Sequence, residues 1–387
     1  MPLFIRWILV AMAWLLCAAV IGIEKQPFME PSFAPDHPVA SFGRRESPFF
    51  NEEFINPDQN LAFVHVGSTF EFGNGILGGL WYGGPYEYCH DNKIYFSSLR
   101  NGSWLAPRAI MTSTQVENDL GRPIRCLGNP LMLPNADGSL ELLFVTIAMG
   151  RWSGGQLNRC VSKNGGLTWS RVERLTLSPL CNFSELVRNR PIPLAGGGWC
   201  VPIYQEFIGK FPELLWLKDE NGKLTARKSR ITGGCAFLQP TLIPLGGKKA
   251  IVLLRDWTKA KRIFVSRSQN GGFTWSKTVP TNLPNPDAGI SGLNLADGKL
   301  LVAFNDSTSK RENLSLALSR DGGDFWQRIF VLNKDPDSYP SYPFVMKAHN
   351  GLIYVAYTDE GDAIKLVNFN EEWIDELQPK KADTSGP

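Results

Sequence analysis

The chain has 387 residues, 43% of them hydrophobic and 20% charged, which is enough to bury a large core. Its formal net charge of +3 comes with no basic run interleaved with aromatics, so no nucleic acid partner is expected. Thirty-seven glycines, 27 prolines and 12 tryptophans, with few long helical patterns, point to an all-β fold.

Residues 1–23 stand apart. Arg6 precedes an uncharged, mostly apolar run from Trp7 to Ile23, closed by Glu24 and Lys25. This is the pattern of a signal peptide or a short membrane anchor, and it predicts an exported protein, periplasmic or extracellular, with residues 7–23 either a signal or the segment that holds it to the membrane. Cys17-Ala-Ala19 is the best small-residue cleavage candidate. Residues 24–50 are proline-rich and lack periodicity, as in Gln26-Pro-Phe-Met-Glu-Pro-Ser-Phe-Ala-Pro35, and predict an extended linker. Of the seven cysteines, Cys17 lies in the apolar run. The other six permit disulfides in an exported protein, but no spacing identifies pairs. No CxxC pair or histidine cluster suggests a metal, and no cofactor is expected. Asn101, Asn182, Asn305 and Asn313 each begin an Asn-x-Ser match.

From Leu61 onward, short apolar runs alternate with turns. Strands are predicted at Leu61–Val66, Gly75–Tyr82 and Lys93–Ser97. Leu140–Thr146, Ala250–Arg255 and Leu300–Asn305 are expected to be inner strands that end on polar groups. Three octapeptides punctuate this pattern: Ser162-Lys-Asn-Gly-Gly-Leu-Thr-Trp169, Ser268-Gln-Asn-Gly-Gly-Phe-Thr-Trp275 and Ser319-Arg-Asp-Gly-Gly-Asp-Phe-Trp326. Each has the chemistry of a tight hairpin turn, in which the Asn or Asp side chain bonds turn amides and paired glycines supply positive φ. The Trp anchors the turn in the layer beneath. Ser268 and Ser319 are 51 residues apart, and Ser162 and Ser268 are 106 apart, two such units. Degenerate copies fill the series at Ser98-Leu-Arg-Asn-Gly-Ser-Trp104 and near Trp216. A period near 50 residues built of short strands predicts propeller blades: five visible, and a sixth shared between the chain ends. The propeller is expected over residues 51–374, followed by a disordered tail at 375–387.

The octapeptides resemble the Asp-boxes, or bacterial neuraminidase repeats, of the sialidase superfamily, over roughly residues 55 to 370. The resemblance implies a six-bladed β-propeller of sialidase type, with the boxes at blade edges away from the active site. Runs such as Asn129-Pro130, Gln239-Pro240, Asn285-Pro-Asp287 and Ser341-Tyr-Pro343 are similar to those of a bacterial subfamily predicted to be neuraminidases.

The resemblance also suggests roles. Arg255 and Arg311 match the second and third members of the sialidase arginine triad, and guanidinium groups suit carboxylated sugars because they bind carboxylates bidentately. Tyr342 matches the nucleophilic tyrosine, with Tyr339 a competitor three residues away. Glu87 and Asp91 lie in the loop where the acid/base carboxyl is expected. Arg125, Asn129, Arg190 and Gln239 fit substrate contacts. Two departures stand out: His65 occupies the place of the first triad arginine, and Gln239 that of the glutamate which would activate the tyrosine, with Glu185 or Glu206 as possible replacements. The expected partner is a carbohydrate substrate, sialic acid or another anionic glycan such as a uronic acid. A glycoside hydrolase, a lyase using His65 or His90 with Tyr342, and a non-catalytic glycan- or partner-binding propeller are the competing readings. The sequence leaves the oligomeric state open.

Overall fold

The computed structural model describes residues 3–24, 32–34, 47–56, 61–177, 184–207, 209–220, 223–231, 236–335 and 337–377. Six antiparallel sheets are arranged around one axis, which is the predicted six-bladed propeller. Blade 1 is built on Phe63–Glu71, blade 2 on Cys126–Pro134, blade 4 on Phe237–Gly246, blade 5 on Ser291–Asn294 and blade 6 on Ser341–Lys347, each the innermost strand of its sheet. In blade 3 the short pieces Leu186–Val187 and Ile192–Pro193 share that place, both pairing with Trp199–Gln205. These inner strands touch one another from blade to blade around the ring.

The ring is closed by both ends of the chain. Phe50–Phe54 adds to blade 6 as its outer strand, antiparallel to Ala363–Phe369. The sixth blade is therefore shared between the termini, as the count of repeats requires. Strand order differs from expectation in one respect. The inner-strand candidates at Leu140, Ala250 and Leu300 are the second strands of blades 2, 4 and 5. Long apolar runs mark these strands because both of their faces pack between neighbouring blades. The true inner strands are interrupted by Asn129-Pro130, Gln239-Pro240 and Tyr342-Pro343, which hides their period.

The three Asp-boxes are hairpin turns between the third and fourth strands of blades 2, 4 and 5. The serine Oγ accepts from the second glycine amide at 2.8 Å in blades 2 and 4 and 2.9 Å in blade 5. The Asn or Asp Oδ1 accepts the amide four residues on. The indole N–H of Trp275 and of Trp326 closes onto the carbonyl of that same glycine. The degenerate turn at Asn101-Gly102 also forms a hairpin, with both residues at positive φ. Near Trp216, residues 221–222 lie outside the described residues.

The N-terminal helix spans Leu3–Glu24, with its side chains described from Phe4 to Cys17 and exposed apart from Cys17. Among the described residues no helix is long and apolar enough to cross a membrane. Most of the predicted linker lies outside the described residues. Within it, Phe33 is buried between blades 3 and 4, its amide on the Gly247 carbonyl at 3.0 Å and its ring 6.3 Å from Trp216. A short helix, Glu371–Glu376, ends the described chain, and residues 378–387 of the predicted tail lie outside it. Cys89, Cys126, Cys160 and Cys200 are free buried thiols, whereas Cys181 and Cys235 lie outside the described residues. Asn305 is buried, with its amide on the carbonyls of Asn313 and Pro340, so it is a structural residue rather than a surface acceptor.

Trp326 is 1% exposed and both anchors and caps its turn. Trp326→Ala is expected to cost about 3–5 kcal/mol in urea unfolding, the range for truncating a large buried ring. Leu167→Ala, at a box position 71% exposed, should stay within ~0.5 kcal/mol of wild type.

Candidate active site

One backbone device recurs at the funnel end of the inner strands. Antiparallel register breaks at a bulge in blades 1, 2, 4 and 6. A non-glycine residue sits there at positive φ: Val66 at 51°, Asn129 at 48°, Gln239 at 46° and Tyr342 at 55°. Asp287, just before the blade 5 inner strand, has φ 62°. Side chains rarely adopt this conformation without support from the surrounding structure, and it clusters where a residue must be aimed. Here proline follows Asn129, Gln239 and Tyr342.

These residues converge on a cavity of about 240 Å³ at the axis, walled by His65, Asn129, Gln239, Arg255, Asp287 and Tyr342. Three guanidinium groups surround the Tyr342 phenol. Arg311 lies over the ring with its Cζ 4.8 Å from the centroid. Arg188 lies 5.4 Å from the centroid, and Arg255 is close enough to act on the phenol electrostatically. Burial alone would raise the phenol's pKa. The opposing fields of Arg311, Arg255 and Arg188 outweigh it and bring Tyr342 below the ordinary tyrosine value.

Each arginine is held by a different kind of partner. The Arg255 Nε donates to Asp287 Oδ1 at 2.8 Å and its Nη1 to Gln239 Oε1 at 3.0 Å. Arg311 Nη2 donates to the Asp287 carbonyl at 3.1 Å, so this one residue orients two guanidiniums. Arg188 is 1% exposed and donates to Asn189 Oδ1 and to the carbonyls of Ile290 and Pro343, with no carboxylate partner among the described residues. Burial, followed by the neighbouring arginines, pulls its pKa down to about 9 even against the favourable phenol. Gly289 makes room for this arrangement. A Cβ there would lie 3.1 Å from Tyr342 Cδ1 and 3.2 Å from Arg188 Cζ.

His65 meets Tyr342 edge to face, with centroids 4.6 Å apart. Burial, then the charges of Arg311 and Arg188, depress its pKa to about 3, so the imidazole is neutral at physiological pH. Its Nδ1 and the Tyr82 hydroxyl are buried without a hydrogen-bond partner, and both residues line the cavity. On the opposite wall, Trp152 Nε1 donates to Glu87 Oε1 at 3.0 Å, and Glu206 pairs with Lys210 at 2.8 Å. Trp152 packs so closely on Gly128 that a Cβ there would come within 2.5 Å of the indole.

The expected residues divide accordingly. His65, Glu87, Asn129, Gln239, Arg255 and Tyr342 line the cavity, and Arg311 stands beside it. Asp91 does not: its side chain is 76% exposed and turns toward His90. His90 in turn faces Glu117, so it is not available to Tyr342. Arg125 is exposed, because its strand presents Cys126 inward and turns the preceding side chain away. Arg190 is half-buried and lines neither the funnel cavity nor the one beside it. The guanidinium that reaches the tyrosine belongs to Arg188, two residues earlier. Glu185 is buried against Lys228 at 2.8 Å and so is no replacement base, whereas Glu206 reaches the cavity. Sequence reasoning missed Arg188, Asp287, Trp152, Tyr204 and Lys210. The Arg188-Asn-Arg190-Pro run and the Asn285-Pro-Asp287 run carried the only signal for two of them.

A family model described as BNR repeat-like domain matches residues 75–355. No curated protein matches the sequence. Solved structures with the same fold include the Hadza microbial sialidase Hz136, at 17% identity, TM-score 0.67, and 81% and 67% of the two chains covered. They include the NanB sialidase of Streptococcus pneumoniae, at 11% identity, TM-score 0.64, and 90% and 72% covered. They also include an α-L-arabinanase from Penicillium chrysogenum, at 12% identity, TM-score 0.61, and 86% and 100% covered. At these identities the likeness is one of fold.

The neutral state of His65 has a measurable consequence. The unfolded chain takes up a proton at this residue below about pH 6.5, while the native state resists until about pH 3. Stability is therefore fully present above pH 6.5 and is lost as pH falls toward 3. His65→Gln should flatten that acid limb by up to one proton, about 1.4 kcal/mol per pH unit, in urea titrations across the window.

Proposed function

The chain belongs to the BNR repeat-like family, and on that footing we propose that it is a sialidase-like glycoside hydrolase acting on an anionic glycan, with Tyr342 as nucleophile. The observation that carries this reading is the Tyr342 phenol in the funnel cavity with the guanidiniums of Arg311 and Arg188 at 4.8 and 5.4 Å from its ring and Arg255 on the same cavity wall. Arg255 and Arg311 are placed to grip a sugar carboxylate, while Arg188 is too deep for substrate and acts as a fixed cation beneath the ring.

In this mechanism Tyr342 first gives up its proton to water and stands as a phenolate held by the arginines; its oxygen then forms a bond to the anomeric carbon as the bond to the leaving oxygen breaks. Glu87, across the cavity beside Trp152, gives that oxygen its proton. The resulting Glu87 carboxylate then takes a proton from water, whose oxygen displaces Tyr342 from the anomeric carbon. Activation of the nucleophile differs from the sialidase pattern. The Gln239 amide bonds Arg255 and Tyr204 and carries no charge, so arginine fields replace a carboxylate base.

A second reading has its own support. His65 touches Tyr342, and the phenolate that the arginines favour can accept a proton beside it. With a uronate carboxyl held by Arg255 and Arg311, loss of the proton α to that carboxyl would eliminate the leaving group and yield an unsaturated sugar. For location, we propose export, on the strength of Arg6 and the apolar Trp7–Ile23 run.

Hydrolysis of a fluorogenic sialoside and of a fluorogenic uronide decides between these. Under the leading reading Tyr342→Phe lowers kcat/KM on the order of 10³-fold or more. Glu87→Gln lowers it by about 10²-fold or more on poor leaving groups and by much less on activated aryl ones. A folded wild type that instead releases ultraviolet-absorbing unsaturated product is a lyase. One that binds both sugars and turns over neither is a glycan-binding propeller.

A further inference from the structure

Blade 6 opens with two Tyr-Pro steps in a row, Ser338-Tyr339-Pro340 and Ser341-Tyr342-Pro343, and both tyrosines hold positive φ, at 45° and 55°. The same backbone device is thus used twice, three residues apart, yet the two rings go to different places. Tyr342 enters the arginine-walled funnel. Tyr339 stands 58% exposed at a second cavity of about 390 Å³.

That exposed ring is not on loose chain. The Ser338 carbonyl accepts the Glu360 amide at 2.8 Å, and the Pro340 carbonyl accepts the buried Asn305 amide at 2.8 Å. Glu360 is itself held at φ 52°. A large aromatic side chain is therefore presented to solvent by backbone clamped on both sides of it, in a conformation that costs energy to maintain. Packing within the fold does not explain this. His65 forms a wall of both cavities, and Arg311, which lies over the Tyr342 ring, lines the second, so the two cavities adjoin at the tyrosine.

We propose that the second cavity is a subsite for the neutral sugar unit attached to the anionic one, with its pyranose face on Tyr339. This rests on the glycan reading above and says where the rest of the glycan lies. The remaining lining offers both donors and acceptors to a sugar's hydroxyls: Lys310 donates, Glu360 accepts, and Ser341 stands beside them. An aromatic platform with a few polar groups at its edge matches a sugar's apolar face and rim of hydroxyls.

The test uses the full chain carrying Tyr342→Phe, so that substrate is retained, and isothermal titration with N-acetylneuraminic acid and with 3′-sialyllactose. The trisaccharide should bind about tenfold more tightly than the monosaccharide. Adding Tyr339→Ala should erase that advantage and leave monosaccharide affinity unchanged, while Tyr339→Trp should keep it. Tyr339 is exposed, so the folded state is preserved in both, checked by identical urea midpoints. If the monosaccharide binds and the trisaccharide gains nothing, or Tyr339→Ala leaves its gain intact, the subsite is overturned alone. If neither sugar binds, the sialoside form of the glycan reading falls, and the subsite with it.

Discussion

Arg188 reaches from blade 3 across the propeller axis to the carbonyls of Ile290 and Pro343, at the start of the innermost strands of blades 5 and 6. Its guanidinium is buried, yet its charge meets amide and carbonyl dipoles and an aromatic ring instead of a carboxylate. Such a charge is costly to keep in the core. The cost is consistent with its position, because the same group ties three blades together and presents positive potential to the face of Tyr342. Arg188 adds to the stronger fields of Arg311 and Arg255 on the phenol and to the burial that keeps His65 neutral, and it leaves little room for a side chain at Gly289.

Around it the propeller repeats one solution. Each inner strand must carry a chemically useful side chain to the axis while its neighbours pack between blades. A strand of regular register sends alternate residues to its two faces and none along its own axis. A bulge with one residue at positive φ escapes this limit, and blades 1, 2, 4 and 6 all use it. Asp287 serves blade 5 in the same spirit from just before its strand, its side chain fixing Arg255 and its carbonyl fixing Arg311. The Asp-boxes have no part in this chemistry. They staple the hairpins between the third and fourth strands of blades 2, 4 and 5.

The contrast with a sialidase-type constellation is one of charge. Where a carboxylate would activate the tyrosine, the chain has the Gln239 amide bonded to Arg255 and Tyr204. The electrostatic work on the phenol passes to arginines. In the function proposed above, an anionic sugar would meet this positive charge with its own.

Features that depend on contiguous residues were legible from the sequence alone. The octapeptide turns declared their hairpins because serine, glycine and tryptophan act within eight residues of one another. Their spacing then counted the blades and placed one across the chain ends. Tyr342, Arg255 and Arg311 were legible because each lies in a local run with a recognisable shape. Assembly of the site was decided only by the tertiary structure. Arg188 and Arg190 are two residues apart with nearly the same sequence surroundings, and the bonds to Ile290 and Pro343 select the first. Asp91 lies four residues from Glu87, and the loop sends one carboxylate to solvent and the other to Trp152. Inner and second strands were exchanged for the same reason. An apolar run records burial, whereas distance from the axis depends on how six sheets close into a ring.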